Sequence, residues 1–133
     1  YRSNFQRGRG LERPHAMVAV SVICADSDER AEWIAGPAGL ARVRMANGTH
    51  GLYPSPEEAA EHPYSPEEAA IVQSWRNSQV VGGADRVRRK IADLLEITSA
   101  DELMVTTTVH DHLDRLRSYE LLAEILELAR PTP

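Results

Sequence analysis

The sequence predicts an α/β fold, a partial (β/α) barrel with about two parallel strands, helices and a proline-rich helical insertion. Two short apolar runs, Met17–Ala25 and residues 103–107, have the composition of strands buried on both faces of a parallel sheet. Helical signals follow each run, which predicts βα units with the two strands side by side and helices packed on one face. A complete barrel needs about eight such units in about 250 residues. These 133 residues hold roughly a quarter of the strands.

The first strand leads into a predicted helix. Asp26 follows the strand and can accept hydrogen bonds from the free amides of the next turn, which predicts a helix start there. Gly36-Pro37 predicts that this helix ends near Ala35, because proline lacks an amide donor and disfavours helical geometry in the residue before it. A second helical piece is predicted over residues 38–45.

The hexapeptide SPEEAA occurs twice, at residues 55–60 and 65–70. Each copy predicts a helix start, because serine caps free amides, proline suits the first helical position and the glutamate three residues after serine bonds back to the cap. Pro63 limits the first helix to one or two turns, whereas the second is predicted to reach about Arg76. We interpret residues 47–64 as a flexible insertion, since they are rich in glycine and proline and have few apolar anchors.

The rest of the chain predicts two helices around the second strand. Gly82-Gly83 opens a helix whose apolar residues recur at helical spacing, namely Val87, Ile91, Leu94 and Leu95. Alternation along the second strand separates two sets of side chains without indicating which set faces inward. The sets are Leu103, Val105 and Thr107, and Met104, Thr106 and Thr108. The last helix is predicted over residues 115–129.

Composition and charge exclude several classes of function. A net charge of -5 and a pI of 5.5 argue against nucleic-acid binding, which needs a basic surface, so we interpret the basic residues at 86–90 as a solvated helix face. The longest apolar run, residues 16–25, is too short to cross a membrane, and no signal peptide is visible. Cys24 has no partner for an intrachain disulfide. We expect a cytoplasmic protein without nucleic-acid or membrane partners.

The organisation of the chain predicts a fragment of one barrel domain, residues 1–133. It begins with Tyr1 and not with methionine. Two strands alone leave unpaired edges on both sides of a sheet. We therefore expect a marginal monomer that forms homo-oligomers.

The sequence His110-Asp111-His112 follows the second strand and is the most chemically suggestive cluster. Barrel enzymes carry their chemistry at the carboxyl ends of the strands, which places the cluster on the active face. Two histidines at i and i+2, without a third ligand at a recognisable spacing, fit a metal poorly, so we predict no metal. Two interpretations stay open: a group that faces cofactor or substrate, and a polar turn in which Asp111 or Asp114 caps the last helix.

Four segments carry a family resemblance: YRSNFQ from Tyr1, MVAVSVICADSDERA from Met17, VVGGADRVRRKI from Val80 and ADELMVTTTVHDHLDRLRSYELLAE from Ala100. Together they resemble the carboxy-terminal part of the bacterial luciferase-like flavin-dependent monooxygenases. The resemblance covers nearly all of the chain apart from residues 47–61, and the last segment is the most specific. The chain departs from the family pattern at two places. Arg7 replaces a proline, and Gly83-Ala84-Asp85 replaces Ser/Thr-Pro-Glu.

The resemblance implies a TIM barrel that binds reduced flavin, FMN or a deazaflavin, and acts on a small-molecule substrate. It also implies that the chain is a carboxy-terminal portion that is inactive alone, because much of the flavin-phosphate pocket lies upstream. His110 and His112 are candidates for the active face, and Thr107 is a candidate for cofactor binding. The competing hypothesis is a non-catalytic half-barrel that self-associates through its open sheet edges.

Overall fold

The computed structural model describes residues 2–8, 10 and 12–127. A short 3-10 helix, Arg2–Asn4, precedes the main elements. These elements are β1 (Met17–Ala25), α1 (Asp28–Ala46), α2 (Pro56–Glu61), α3 (Pro66–Asn77), β2 (Gln79–Gly83), α4 (Ala84–Thr98), β3 (Glu102–Thr106) and α5 (His112–Ile125). The last helix ends at Ile125, with Leu126 as its C-cap, and so stops short of the predicted end at residue 129. Residues 128 and 129 lie outside the described residues. No helix in the described ranges has the length and apolar character that a membrane span needs.

The described strands form one parallel sheet in the order β2-β1-β3. The amino half of β1, residues 17–21, pairs with β3, which confirms the predicted neighbouring parallel strands. The carboxyl half, residues 21–25, pairs with β2 on the opposite edge. The chain runs from β1 to its neighbour β3 through α4, as in a βα unit, and α1, α2, α3 and β2 lie between β1 and α4 in the sequence.

The prediction of about two strands missed β2, because Gly82-Gly83 was assigned to the start of a helix. Five residues that end in two glycines have low intrinsic strand preference and no alternation to indicate a strand. The strand forms because it satisfies the backbone groups on one edge of β1, a requirement that arises only in the folded sheet. The helix prediction itself is confirmed, since α4 begins at the next residue, Ala84.

The helices pack on both faces of β1, so the prediction of helices on one face was wrong. Val22 and Cys24 lie in a buried cluster with residues of α4 and α5. Ile23 and Ala25 point the other way and pack with Ala31, Ile34 and Ala35 of α1. Alternation along a strand turns successive side chains to opposite faces. Helix α1 covers the face of β1 that α4 and α5 leave open.

Helix α1 is continuous through Pro37, in contrast to the predicted break near Ala35. Ser27, and not Asp26, is its N-cap and accepts a hydrogen bond from the amide of Arg30. Pro37 is fully buried within the helix. Burial of one face of α1 against β1, β2 and the neighbouring helices outweighs the local cost of the proline, about 3 kcal/mol in an exposed helix.

A close helix crossing at Gly39 provides a prediction for stability. A Cβ added at Gly39 would lie 2.9 Å from Cγ1 of Val72 on α3. Valine is stiff and cannot move away by a simple rotation. We expect Gly39→Ala to lower the free energy of unfolding by about 1–3 kcal/mol, although alanine normally favours helices. Denaturant unfolding measures this change, and Val72→Ala should rescue it. Equal or higher stability in Gly39→Ala alone would contradict the close packing.

Both SPEEAA copies begin helices, as predicted. Ser55 and Ser65 each accept a hydrogen bond from the backbone amide three residues later, at Glu58 and Glu68, and each glutamate bonds back to the amide of its serine. The first helix spans six residues, within the predicted limit of one or two turns. The flexibility of residues 47–64 stays a prediction.

The buried thiol of Cys24 should be chemically inert in the folded chain. Cys24 is 0% exposed and free. Burial, with a smaller effect from the nearby carboxylate of Asp26, raises the thiol pKa from 9.0 to about 11. Because the thiolate is the reactive form, we expect no native-state reaction with a thiol reagent at pH 8, and full reaction after denaturation. Rapid labelling of the folded chain would contradict this placement.

The same pKa shift predicts a loss of stability in alkaline solution. The folded state holds the Cys24 proton more tightly than the unfolded state. Its stabilising effect is therefore complete below pH 9 and declines as the pH rises towards 11. Comparing the stability of the chain with that of Cys24→Ala at pH 8 and pH 11 isolates this contribution.

Candidate functional site

An open cavity of ≈ 280 Å³ lies over the middle of the sheet, on the face that carries Ser21. Residues of α1, the following loop, α3 and all three strands contribute to it. The lining residues are Ser21, Ala38, Ala41, Arg42, Met45, Tyr53, Trp75, Gln79, Thr106 and Thr108. The structure thus settles which strand residues face this space. Thr106 and Thr108 do, whereas Leu103 and Val105 pack against the opposite core.

The floor of the cavity is polar but uncharged. Gln79 is buried and its Nε2 donates a 3.2 Å hydrogen bond to Oγ of Ser21. The hydroxyl groups of Thr106 and Thr108 form no hydrogen bond within the described part of the chain, so both can serve a ligand. The floor offers neutral donors and acceptors from three different strands.

Two hydrogen bonds join the inserted loop to the segment after β3. The hydroxyl of Tyr53 donates to the carbonyl oxygen of Thr108 at 3.3 Å, and Nδ1 of His110 lies 3.0 Å from the carbonyl oxygen of Pro54. Since a carbonyl oxygen only accepts, Nδ1 of His110 is the donor in this contact. Burial raises the pKa of Tyr53 to about 12, which keeps its hydroxyl a neutral donor. These contacts hold the loop after α1 against the segment after β3, beside the cavity that Tyr53 and Thr108 line.

Thr107 lies away from the cavity and supports the sheet. It is buried, and its hydroxyl donates a 2.7 Å hydrogen bond to the carbonyl oxygen of Val22. Further along the same edge, the amide of Cys24 donates to Oγ of Ser118 on α5 at 3.0 Å. The ladder between β1 and β3 ends at Ser21. These two side chains therefore satisfy backbone groups of β1 where β3 no longer reaches.

Each residue of the His110-Asp111-His112 cluster bonds to different partners. Asp111 is the N-cap of α5, where its carboxylate accepts from the amides of Leu113 and Asp114. This cap starts the helix three residues before the predicted position 115. His112 is the first helical residue, and its Nδ1 accepts a 2.9 Å hydrogen bond from Arg115. Among the described residues, no group of three or more potential ligands could hold a metal ion.

Ion pairs occupy the loop at the carboxyl end of β1. Asp26 pairs with Arg117 at 2.7 Å, and this hydrogen bond holds the carboxyl pKa of Asp26 below its usual value. Arg30 donates two hydrogen bonds to Asp114 at 2.8 and 2.9 Å. Asp28 accepts from the amide of Gly83 at 2.7 Å. These contacts fix α1, α4 and α5 around the strand ends, so we assign them a structural role.

Sequence reasoning missed four cavity residues: Arg42, Tyr53, Trp75 and Gln79. They belong to α1, the loop after it, α3 and β2, which assemble over the sheet only in the folded chain. Arg42 and Trp75 also form a stacked pair, with the guanidinium carbon 4.4 Å from the centre of the indole ring. No local motif marks these residues.

Several known proteins are similar to this chain over most of its length. No protein-family model matches the chain. The uncharacterized protein YvbT of Bacillus subtilis is 35% identical over 125 residues, which are 94% of this chain and 37% of YvbT. A protein of Escherichia coli K12 named luciferase-like monooxygenase is 37% identical over 127 residues, 96% of this chain and 38% of that protein. The chain thus spans less than two-fifths of the length of these curated relatives.

A solved structure shares the fold. The crystal structure of apo-MsnO8 superposes with a TM-score of 0.86 at 33% sequence identity. The match covers 98% of this chain and 40% of MsnO8. The α/β fold with parallel strands is therefore shared with 40% of the MsnO8 chain.

Proposed function

Because the chain belongs to the luciferase-like family, we propose that it is the carboxy-terminal part of a flavin-dependent monooxygenase that acts on a small molecule. In this proposal the three strands form one side of a TIM barrel, and the cavity over the sheet is this chain's share of the active site. The main support for this proposal is that Ser21, Gln79, Thr106 and Thr108 line the same cavity. Two of these residues lie at or just beyond the carboxyl end of β3, where barrel enzymes place their chemistry.

The cavity residues could form part of a flavin-binding site but not a complete site. Pockets for small molecules commonly measure about 300–1,000 Å³, and this cavity of ≈ 280 Å³ is smaller and open. Its neutral hydroxyl and amide groups can bond to a heterocycle, while Ala38, Ala41 and Met45 supply apolar walls. The remaining contacts would come from the rest of the barrel. This supports the expectation that the chain alone is inactive.

Reduced flavin, FMN or a deazaflavin, would supply the reducing electrons when bound. The chain's own residues would bind and orient the flavin and the substrate. Thr106 and Thr108 present free hydroxyl groups, and Gln79 fixes the rotamer of Ser21 through its amide. Tyr53 and His110 would hold the loop after α1 in place beside the cavity.

Titration with reduced FMN and with a reduced deazaflavin tests this proposal. We expect the complete protein to bind at least one of them, and residues 1–133 alone to bind neither with measurable affinity, because the cavity is only a partial site. Size-exclusion chromatography of the same samples controls for aggregation. Absence of binding by the complete protein would reject the flavin assignment.

One feature favours the alternative, a non-catalytic half-barrel that self-associates. β2 pairs only with residues 21–25 of β1, which leaves the edge of residues 17–20 on that side without a strand partner in the described part of the chain. On the cavity face, Met17 is 52% and Met104 is 50% exposed. Open edges and exposed apolar side chains promote association. A concentration-dependent oligomer of residues 1–133, without flavin binding by the complete protein, would support this alternative.

A further inference from the structure

Arg42 is the one charged residue among the described residues that line the cavity. Two other arginines of α1 are neutralised by carboxylates: Arg30 pairs with Asp114 at 2.8 Å and Arg44 pairs with Glu58 at 3.2 Å. No carboxylate in the described ranges pairs with Arg42. In a chain with a net charge of -5, this guanidinium is a local positive site beside neutral polar groups.

The indole of Trp75 holds the guanidinium in place. The guanidinium carbon of Arg42 lies 4.4 Å from the centre of the Trp75 ring, a distance typical of cation-π contacts. Within the described part of the chain, the Arg42 side chain makes one hydrogen bond, from Nη1 to the sulfur of Met45 at 3.7 Å. A thioether is a weak acceptor. Several N–H groups therefore remain available. A planar fork of this kind matches the two oxygens of a carboxylate or related anion.

We propose that the cavity binds an oxyanion group of its ligand at Arg42, with the apolar body of the ligand against Met45 and Tyr53. This inference rests on the proposed function in treating the cavity as part of an active site. The oxyanion would belong either to the substrate, as a carboxylate or sulfonate, or to the phosphate of FMN. Both sources share the same recognition chemistry.

Isothermal titration calorimetry of the complete protein with two ligand pairs distinguishes a substrate oxyanion from the phosphate of FMN. Benzoate and benzamide have similar shapes but differ in charge, and they test a substrate oxyanion. FMN and riboflavin differ by the phosphate group, and they test the flavin. We expect the anionic member to bind about tenfold more tightly in one pair, the lower range for a hydrogen bond to a charged group.

Three variants assign any preference to Arg42. Arg42→Gln should remove the preference, and Arg42→Lys should restore only part of it, because lysine keeps the charge and loses the planar fork. Arg88→Gln removes the same charge from an exposed position on α4 and should leave the preference unchanged. Circular dichroism confirms that each variant is folded.

Equal affinity for charged and neutral members in both pairs would overturn the proposal, as would a preference that survives Arg42→Gln. The benzoate pair needs no flavin, so it separates this inference from the proposed function. An Arg42-dependent preference for benzoate in a protein that binds no reduced flavin would retain the anion site and reject the monooxygenase assignment.

Discussion

Replacing Thr107 by valine and Ser118 by alanine together should lower the free energy of unfolding by about 2–6 kcal/mol, a large share of the stability of a domain. The carbonyl of Val22 would lose its donor and the amide of Cys24 would lose its acceptor. Each unsatisfied buried group costs about 1–3 kcal/mol, because neither can bond to water in the core. Denaturant unfolding of the single and double variants measures the stability that each hydrogen bond contributes.

A matched control is available one residue away. Thr106→Val makes the same chemical change on the open cavity face, where no intramolecular hydrogen bond is lost. Its effect should stay within about 0.5 kcal/mol, as for most surface substitutions. Equal losses for Thr106→Val and Thr107→Val would show that the edge hydrogen bonds do not stabilise the sheet.

In the complete protein, if it is the proposed monooxygenase, His110→Ala should lower kcat/KM about ten- to a hundredfold, or about 1.4–2.7 kcal/mol of transition-state stabilisation. Through its hydrogen bond to Pro54, His110 holds the loop that carries the cavity residue Tyr53. We expect a smaller effect for His112→Ala, since His112 bonds to Arg115 within α5. Steady-state kinetics with a reduced-flavin supply gives both values.

His15→Ala is the control for this pair. His15 precedes β1 and lies 3.4 Å from Glu102, at the amino end of the strands and far from the proposed active face. It should leave kcat/KM unchanged. If His110→Ala and His112→Ala also leave it unchanged while folding is intact, the cluster is a polar turn and its role is to begin α5.

The sequence was informative wherever local chemistry decides structure. The apolar run of β1 and the serine-proline-glutamate starts of α2 and α3 depend on neighbours within a few residues. The alternation of β3 was also correct, and the structure shows that Thr106 and Thr108 face the cavity. These features can be derived from residue order alone.

Long-range packing explains what the sequence could not indicate. β2 exists because the edge of β1 needs partners, and Pro37 remains helical because α1 is held by the surrounding elements. Arg42 and Trp75 meet through the crossing of α1 and α3, although they are far apart in sequence. Thr107 illustrates the same limit, since its bond to Val22 depends on where β3 stops pairing.

A crystal structure of the complete protein with bound reduced flavin tests the central claim most directly. The account predicts that the ligand contacts the cavity face, within reach of Ser21, Thr106 and Thr108, and that β1 and β3 are neighbouring strands of a closed barrel. A flavin bound elsewhere, or a complete protein in which this sheet stays open and its cavity face packs against another copy, would contradict it.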